Sequence, residues 1–142
     1  MLGRGKGVLE SADVERISER LGARFGLDAL WLFGSHATGK ARSASDVDLA
    51  TLLGRRPSPT ELLEGRGEIG SLLDRNVDLV DLDQASPILA MQVLRHGRLL
   101  VDANPARRQG FVAHAPGRYE DLKIVRREAQ RSLLARMRHG RS

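Results

Sequence analysis

Apolar residues recur along the chain with two spacings, which predict alternating helices and strands. The first segment has apolar residues at helical spacing: Val14, Ile17, Leu21 and Phe25. With Ser11 before it and Gly26 after it, this segment is predicted to be a capped amphipathic helix. Two short runs follow that are typical of strands: the continuous apolar run 29–33, and 46–52, in which apolar and polar residues alternate.

The second half of the sequence continues the alternation. Ser58 and Pro59 begin a predicted helix that ends near Asp74, since Ser is a preferred N-cap and Pro fits the first helical turn. The remaining predicted elements are a strand over 76–82, a helix over 88–96, a short strand over 98–101 and a terminal helix over 119–137. A loop that contains Gly, Pro and Arg is predicted before the terminal helix.

The order of these elements predicts an α/β (α+β) fold, in which helices flank a small sheet. The link between the first two strands is too short for a parallel crossover that contains a full helix, so a mixed sheet is predicted. At 142 residues the chain fits one compact domain. We assign this domain to 11–102, after a flexible N-terminus over 1–10 and before the loop and basic helix of 103–142.

Composition is that of an ordinary globular protein, with 41% hydrophobic and 29% charged residues. No apolar stretch is long enough to span a bilayer, and the basic residues near the N-terminus are not followed by the apolar run of a secretory signal. We therefore expect a cytoplasmic protein without a membrane association. Because cysteine is absent, a bound metal would need oxygen or imidazole ligands, which favours hard cations.

The net charge of +5 raises the possibility of nucleic-acid binding. Arginines concentrate in the segment after Arg107, whereas 46–83 is acidic in balance. The arginine-rich segment has only Phe111 and Tyr119 as aromatic residues that can stack on bases. Nucleic acid is therefore an unlikely partner.

Two short motifs combine the requirements of a metal site and a phosphate site. Asp46 and Asp48 are two residues apart in a predicted strand, which places both carboxylates on one face, where they can bind Mg²⁺. Gly34 follows a strand and permits close backbone approach, and Ser35 can offer its N–H and hydroxyl to a phosphate. This combination predicts metal-assisted chemistry on a nucleoside triphosphate.

A site for two metal ions needs a third carboxylate, for which we select Asp78 in the next strand. It could complete the metal site or act as a general base. Asp81 and Asp83 are the alternatives, and Asp81 is the weaker one because it lies on the opposite strand face from Asp78.

The segment from Gly34-Ser35 to Asp46-Val-Asp48 resembles the Gly-Ser-x10-Asp-x-Asp signature of the polymerase-beta-like nucleotidyltransferase superfamily, and especially its minimal (MNT) group. The resemblance runs from about Ser11 to Val101. It implies ATP and two Mg²⁺ ions as cofactors, a triphosphate bound by Gly34 and Ser35, and a catalytic, metal-binding triad of Asp46, Asp48 and Asp78.

The MNT group is known for antitoxins that transfer AMP from ATP to a tyrosine of a HEPN ribonuclease toxin and so silence it. The resemblance therefore implies a HEPN toxin as the partner, in a hetero-oligomer. Two alternatives stay open: an antitoxin that acts by contact alone, and transfer to a small molecule. The few residues after Val101 favour a protein acceptor, with the terminal helix either docking on the partner or packing on its own core.

One position departs from the signature of the group. His36 stands where many relatives have Arg, and a neutral imidazole is a weaker phosphate ligand than a guanidinium. Arg42 or Lys40 in the same loop could take over this contact. Either could equally be a solvated loop charge.

Overall fold

The computed structural model describes residues 9–34 and 46–139 of the chain. Within these ranges it contains the following helices and strands: α1 (Ser11–Phe25), β1 (Leu27–Phe33), β2 (Val47–Leu53), α2 (Pro59–Leu73), β3 (Val77–Asp81), α3 (Pro87–His96), β4 (Arg98–Asp102) and α4 (Pro105–His139). Apart from the start of α4, each element agrees with its predicted range to within about two residues.

The strands form one sheet in the order β3-β2-β1-β4. β1 pairs antiparallel with both β2 and β4, whereas β2 pairs parallel with β3. The predicted mixed sheet is therefore confirmed, and the short link joins antiparallel strands. β3 and β4 lie at the two edges, so the strand that carries Asp78 has one side without a neighbouring strand in the described part of the chain.

The sheet buries a hydrophobic cluster on each face. On one face, side chains of α1 and α2 pack against it, among them Ile17, Leu21, Ile69 and Leu73. On the other face, the cluster includes Trp31, Leu52, Ala90 and Val93, with Phe111 of α4 packed against it. The alternation along β2 puts Val47 and Leu49 on the first face and Ala50 and Leu52 on the second. Asp48 therefore lies on the second face.

The N-cap of the first helix lies one residue before the predicted one. Glu10, rather than Ser11, is the N-cap of α1, and its backbone N–H donates to Asp13 Oδ2 at 3.0 Å. The Glu10 side chain in turn accepts from the Asp13 N–H, so Glu10 and the buried Asp13 form a capping box. Of the segment predicted to be flexible, residues 1–8 lie outside the described ranges, while Leu9 is buried in the core.

The predicted cap of α2 is confirmed and includes an ion pair. Ser58 Oγ accepts from the Glu61 N–H, and Glu61 Oε1 accepts from the Ser58 N–H. Arg55 donates to both carboxylate oxygens of Glu61, at 3.2 and 2.7 Å. The hydrogen bond from Arg55, followed by that from Ser58, lowers the pKa of Glu61 from 4.5 to about 2.

We expect the Glu61 cap to make the stability of the protein sensitive to acid. Because the pKa of Glu61 is lower in the folded state, its contribution is present above pH 4.5 and is lost as the pH falls towards 2. Urea unfolding across this range should show a smaller loss of stability in Glu61→Gln than in the wild type. Glu19→Gln, at an exposed position of α1, is the control. Equal acid profiles for the wild type and Glu61→Gln would contradict this role.

The start of α4 differs from the sequence prediction. A loop was expected up to Tyr119, but α4 begins at Pro105 and contains Pro116. Asn104 Oδ1 accepts from the Arg107 N–H at 3.3 Å, and Pro occupies the first helical position. Burial of Ala115 and the packing of Phe111 on the sheet outweigh the low helix propensity of this segment. The prediction of a loop before Tyr119 is therefore wrong.

The second half of α4 has apolar side chains that do not pack on the rest of the described protein. The exposed residues include Ile124, Val125, Leu133, Leu134 and Met137. The terminal helix was expected either to dock on a partner or to pack on the core of this protein. For these exposed residues, packing on the core is excluded. No helix in the ranges 9–34 and 46–139 is both long and apolar enough to cross a bilayer.

Candidate active site

Two of the predicted site residues face each other across neighbouring strands. β2 and β3 run parallel with Asp48 opposite Asp78 in the register. Because in-register residues of adjacent strands point to the same side of a sheet, both carboxylates project from one face. The Val47 N–H donates to the Asn76 carbonyl at 2.9 Å, which fixes this register where both strands begin. The parallel pairing thus brings together two carboxylates that are far apart in sequence.

Asp46 stands immediately before β2 and is exposed. It lines the same cleft as Asp48 and Asp78. The three aspartates predicted from the sequence therefore border one space, where the two strands begin.

Gly34 ends β1 against the Asp48 carboxylate. Its φ of +73° lies in the left-handed region, which favours glycine. A Cβ at this position would overlap with Asp48 Oδ2. Any other residue would displace the carboxylate and strain the backbone, so the structure explains why glycine stands here.

The cleft has a volume of about 1050 Å³ and two walls. One wall carries the three aspartates. The other is formed by α2 and the turn after it, with these lining residues: Arg66, Gly67, Gly70, Ser71, Asp74, Arg75 and Asn76. Sequence patterns did not identify this second wall, because its residues form no motif with the aspartates.

Asp78 pairs with Arg66 of α2, and Oδ1 lies 3.6 Å from Nη1. Since α2 packs on the opposite face of the sheet, Arg66 reaches Asp78 past the edge strand β3. Within the described part of the chain, no three His, Asp or Glu side chains are close enough together to hold a metal ion. The donors still suit Mg²⁺, because the cleft offers the carboxylate oxygens of the three aspartates.

The two alternative carboxylates have other partners. Asp81 is buried and accepts hydrogen bonds from the Asp83 N–H at 3.1 Å and from Gln84 Nε2 at 2.6 Å. Asp83 pairs with Arg107. Neither lines the cleft, so Asp78 is the better placed of the three candidates.

Several residues proposed for phosphate binding lie outside the described ranges. These are Ser35, His36, Lys40 and Arg42. Their predicted roles stay predictions.

The chain is similar to proteins of a known family. The family model described as polymerase beta, nucleotidyltransferase matches residues 15–106. A protein adenylyltransferase MntA of Shewanella oneidensis is 38% identical over 74 residues, which are 52% of this chain and 53% of the relative. The chain thus spans about half the length of that relative. A protein adenylyltransferase MntA of Thermococcus cleftensis is 34% identical over 77 residues, 54% of this chain and 78% of the relative.

Solved structures give the same relationship over more of the chain. A crystal structure of a toxin-antitoxin with AMP-PNP contains a chain with a TM-score of 0.75 and 26% identity, covering 89% of this chain and 99% of that one. A complex of the tri-AMPylated HEPN toxin of Shewanella oneidensis with an MNT antitoxin gives a TM-score of 0.71 and 25% identity, covering 89% and 99%. Because α4 has 35 of the 142 residues, a likeness over 89% of the chain must include part of α4.

Proposed function

Because the chain belongs to the polymerase beta, nucleotidyltransferase family, we propose that it is an antitoxin that transfers AMP from ATP to a tyrosine of a HEPN ribonuclease toxin. One observation carries this proposal: Asp48 and Asp78 lie in register on parallel strands, with Gly34 against the Asp48 carboxylate. That arrangement joins a carboxylate pair to a backbone position suited to phosphate. The choice of a HEPN toxin as the acceptor is supported by the names of the relatives and by the solved complex with a tri-AMPylated toxin.

Each site residue has a defined part in the proposed reaction. Asp46, Asp48 and Asp78 would hold two Mg²⁺ ions, which supply charge neutralisation on the triphosphate. Gly34 and Ser35 bind the triphosphate through the backbone, and Arg42 contributes a positive charge to it. Asp78 accepts the proton of the tyrosine hydroxyl.

The proposed reaction transfers the AMP group from ATP to the tyrosine oxygen. The tyrosine oxygen forms a bond to the α-phosphorus of ATP while the bond from that phosphorus to the bridging oxygen breaks. Pyrophosphate leaves with the electron pair, and the tyrosine proton passes to Asp78. Since positioning and charge neutralisation provide most of the catalysis in such transfers, a small open site is sufficient.

The toxin is proposed to dock on the second half of α4, in a hetero-oligomer in the cytoplasm. Val125, Leu133 and Met137 recur at helical spacing on this exposed segment, with arginines around them. An apolar helical stripe of this kind can bind in a groove of a partner protein. In this proposal, residues 11–102 bind the nucleotide and the part of the chain after residue 102 binds the partner.

The proposal is tested by incubating the purified chain with the HEPN protein from the adjacent reading frame, ATP and Mg²⁺. We expect the intact mass of the toxin to increase by whole AMP units, and its ribonuclease activity to fall in parallel. A toxin that lacks its acceptor tyrosine should show neither change. If the mass stays constant while the ribonuclease is inhibited, the chain acts by contact alone. Transfer of AMP only to small molecules would likewise overturn the proposal.

A further inference from the structure

Helix α2 contains three glycines, Gly65, Gly67 and Gly70, although glycine is unfavourable inside a helix. Two of them have a packing reason. A Cβ at Gly65 would lie 3.2 Å from the Phe25 ring, and one at Gly70 would lie 3.0 Å from the Arg75 carbonyl oxygen. A Cβ at Gly67 would meet nothing within 4 Å among the residues that the structure describes. The fold itself therefore gives no reason for glycine at position 67, which lines the cleft.

Arg66, beside Gly67, also contributes little to the stability of the fold. Its side chain is 46% exposed and that of its partner Asp78 is 51% exposed. An ion pair between such exposed groups contributes little to folding in water. Arg66 does place a guanidinium at the edge of the cleft, next to the carboxylate proposed to receive the acceptor proton.

The order of elements across the sheet places Gly34 and Arg66 on opposite sides of the carboxylates. Gly34 lies at the end of β1, Asp48 in β2 and Asp78 in β3, and α2 reaches past the β3 edge. If the triphosphate binds at Gly34, the carboxylates lie between it and Arg66. The α2 wall is therefore on the side from which the acceptor approaches.

We propose that Arg66 and Gly67 form a subsite for an anionic acceptor, namely the AMP unit attached to the toxin in the preceding transfer. This inference rests on the proposed function, and it concerns the transfers after the first one, since the toxin in a similar solved complex is tri-AMPylated. A tyrosine hydroxyl is neutral, whereas an attached AMP carries a negatively charged phosphodiester, which a guanidinium binds strongly. At Gly67 the absent side chain leaves space for the ribose against the helix.

In this second transfer, a ribose hydroxyl of the attached AMP takes the place of the tyrosine hydroxyl. Its oxygen bonds to the α-phosphorus of a new ATP, pyrophosphate leaves with the electron pair, and the proton passes to Asp78. Arg66 contacts the existing phosphodiester and so positions the attached AMP. It is a residue of the acceptor subsite, with no part in the proton transfer.

The test uses Arg66→Gln with the full chain, the HEPN toxin, Mg²⁺ and ATP, and follows toxin species with one, two and three AMP units by intact mass. We expect the second transfer to slow about tenfold relative to the first, because a charge-assisted hydrogen bond is lost. Arg66→Lys should restore part of the ratio by keeping the charge. An unchanged ratio in Arg66→Gln would overturn the subsite. A wild-type chain that transfers no AMP would instead overturn the proposed function.

Gly67→Ala tests the shape of the subsite, with Gly22→Ala as a matched control. Gly22 is also an exposed glycine inside a helix, with nothing within 4 Å of a Cβ, but it does not line the cleft. Both variants should raise the Tm by about 3 °C. Only Gly67→Ala should lower the ratio of second to first transfer. If both variants keep the wild-type ratio, Gly67 does not contact the acceptor.

Discussion

Asp48→Asn is expected to lower AMP transfer by about a hundredfold to a thousandfold while the protein stays folded. The substitution preserves the size of the side chain and removes a negative charge beside Gly34, where the triphosphate and its cations are proposed to bind. An amide oxygen is a weaker ligand for Mg²⁺ than a carboxylate, and charge neutralisation is the main contribution of this site. The rate of mass increase of the toxin at saturating ATP measures the effect.

Asp74→Asn is the matched control for loss of a carboxylate from the same cleft. Asp74 lines the cleft at the end of α2 and has a φ of +51°, a conformation that Asn tolerates as well as Asp. We expect this variant to keep most of its activity. Comparable losses in both variants would show that general cleft charge matters, rather than the position of Asp48. Full activity of Asp48→Asn would refute the metal assignment.

Leu133→Asp is expected to weaken binding of the toxin by about a hundredfold. Leu133 belongs to the exposed stripe of α4, and a charge there would have to be buried without a partner in an apolar interface. The dissociation constant of the complex, measured by calorimetry, gives the size of the effect. AMP transfer at low toxin concentration should fall with it, because the acceptor no longer reaches the cleft.

Ile124→Asp is the control for this substitution. Ile124 is exposed like Leu133, and their positions differ by nine residues, which places the two side chains about 180° apart around the helix. The control should bind the toxin with nearly wild-type affinity. If Ile124→Asp weakens binding as much as Leu133→Asp, the partner covers another face of α4. If neither does, α4 is not the docking element.

The elements around the site could be predicted because local sequence and tertiary structure agree there. Ser58, Pro59 and Glu61 form the cap that their types predict, and the alternation in 46–52 gives a strand with Asp48 on the face opposite Val47. The mixed sheet followed from a link too short for a parallel crossover. Each of these features depends on neighbours in sequence, which a single sequence displays directly.

The two incorrect predictions have different causes. Pro116 and the adjacent Gly117 indicated a loop, yet packing of α4 on α3 and the sheet keeps the segment helical. Glu10 rather than Ser11 caps α1 because Asp13, three residues further on, accepts from the Glu10 N–H. The first error arises from packing against distant parts of the chain, which local sequence does not display. The second is a choice between two neighbouring residues that can both begin the helix.

For the candidate site, the sequence predicted that the three aspartates lie near one another but gave no indication of the opposite wall. Asp46 and Asp48 are two residues apart, and Asp78 occupies a corresponding place in the next strand, so strand geometry was sufficient. Arg66 and Gly67 come into the cleft only because α2 packs beside the β3 edge. Their positions depend on helix packing, for which no spacing rule was available.

The position of Asp78 on an edge strand has a consequence for how new partners can arise. A carboxylate at an open edge is reached from outside the sheet, so the acceptor does not have to fit an enclosed chamber. In the proposed function, contacts at a distance from the reacting groups would select the acceptor, chiefly those of the exposed stripe of α4. A few substitutions along that helix would then redirect the same reaction to a different protein, while the carboxylates and the sheet remain unchanged. Under this proposal, recognition and catalysis can change independently of each other.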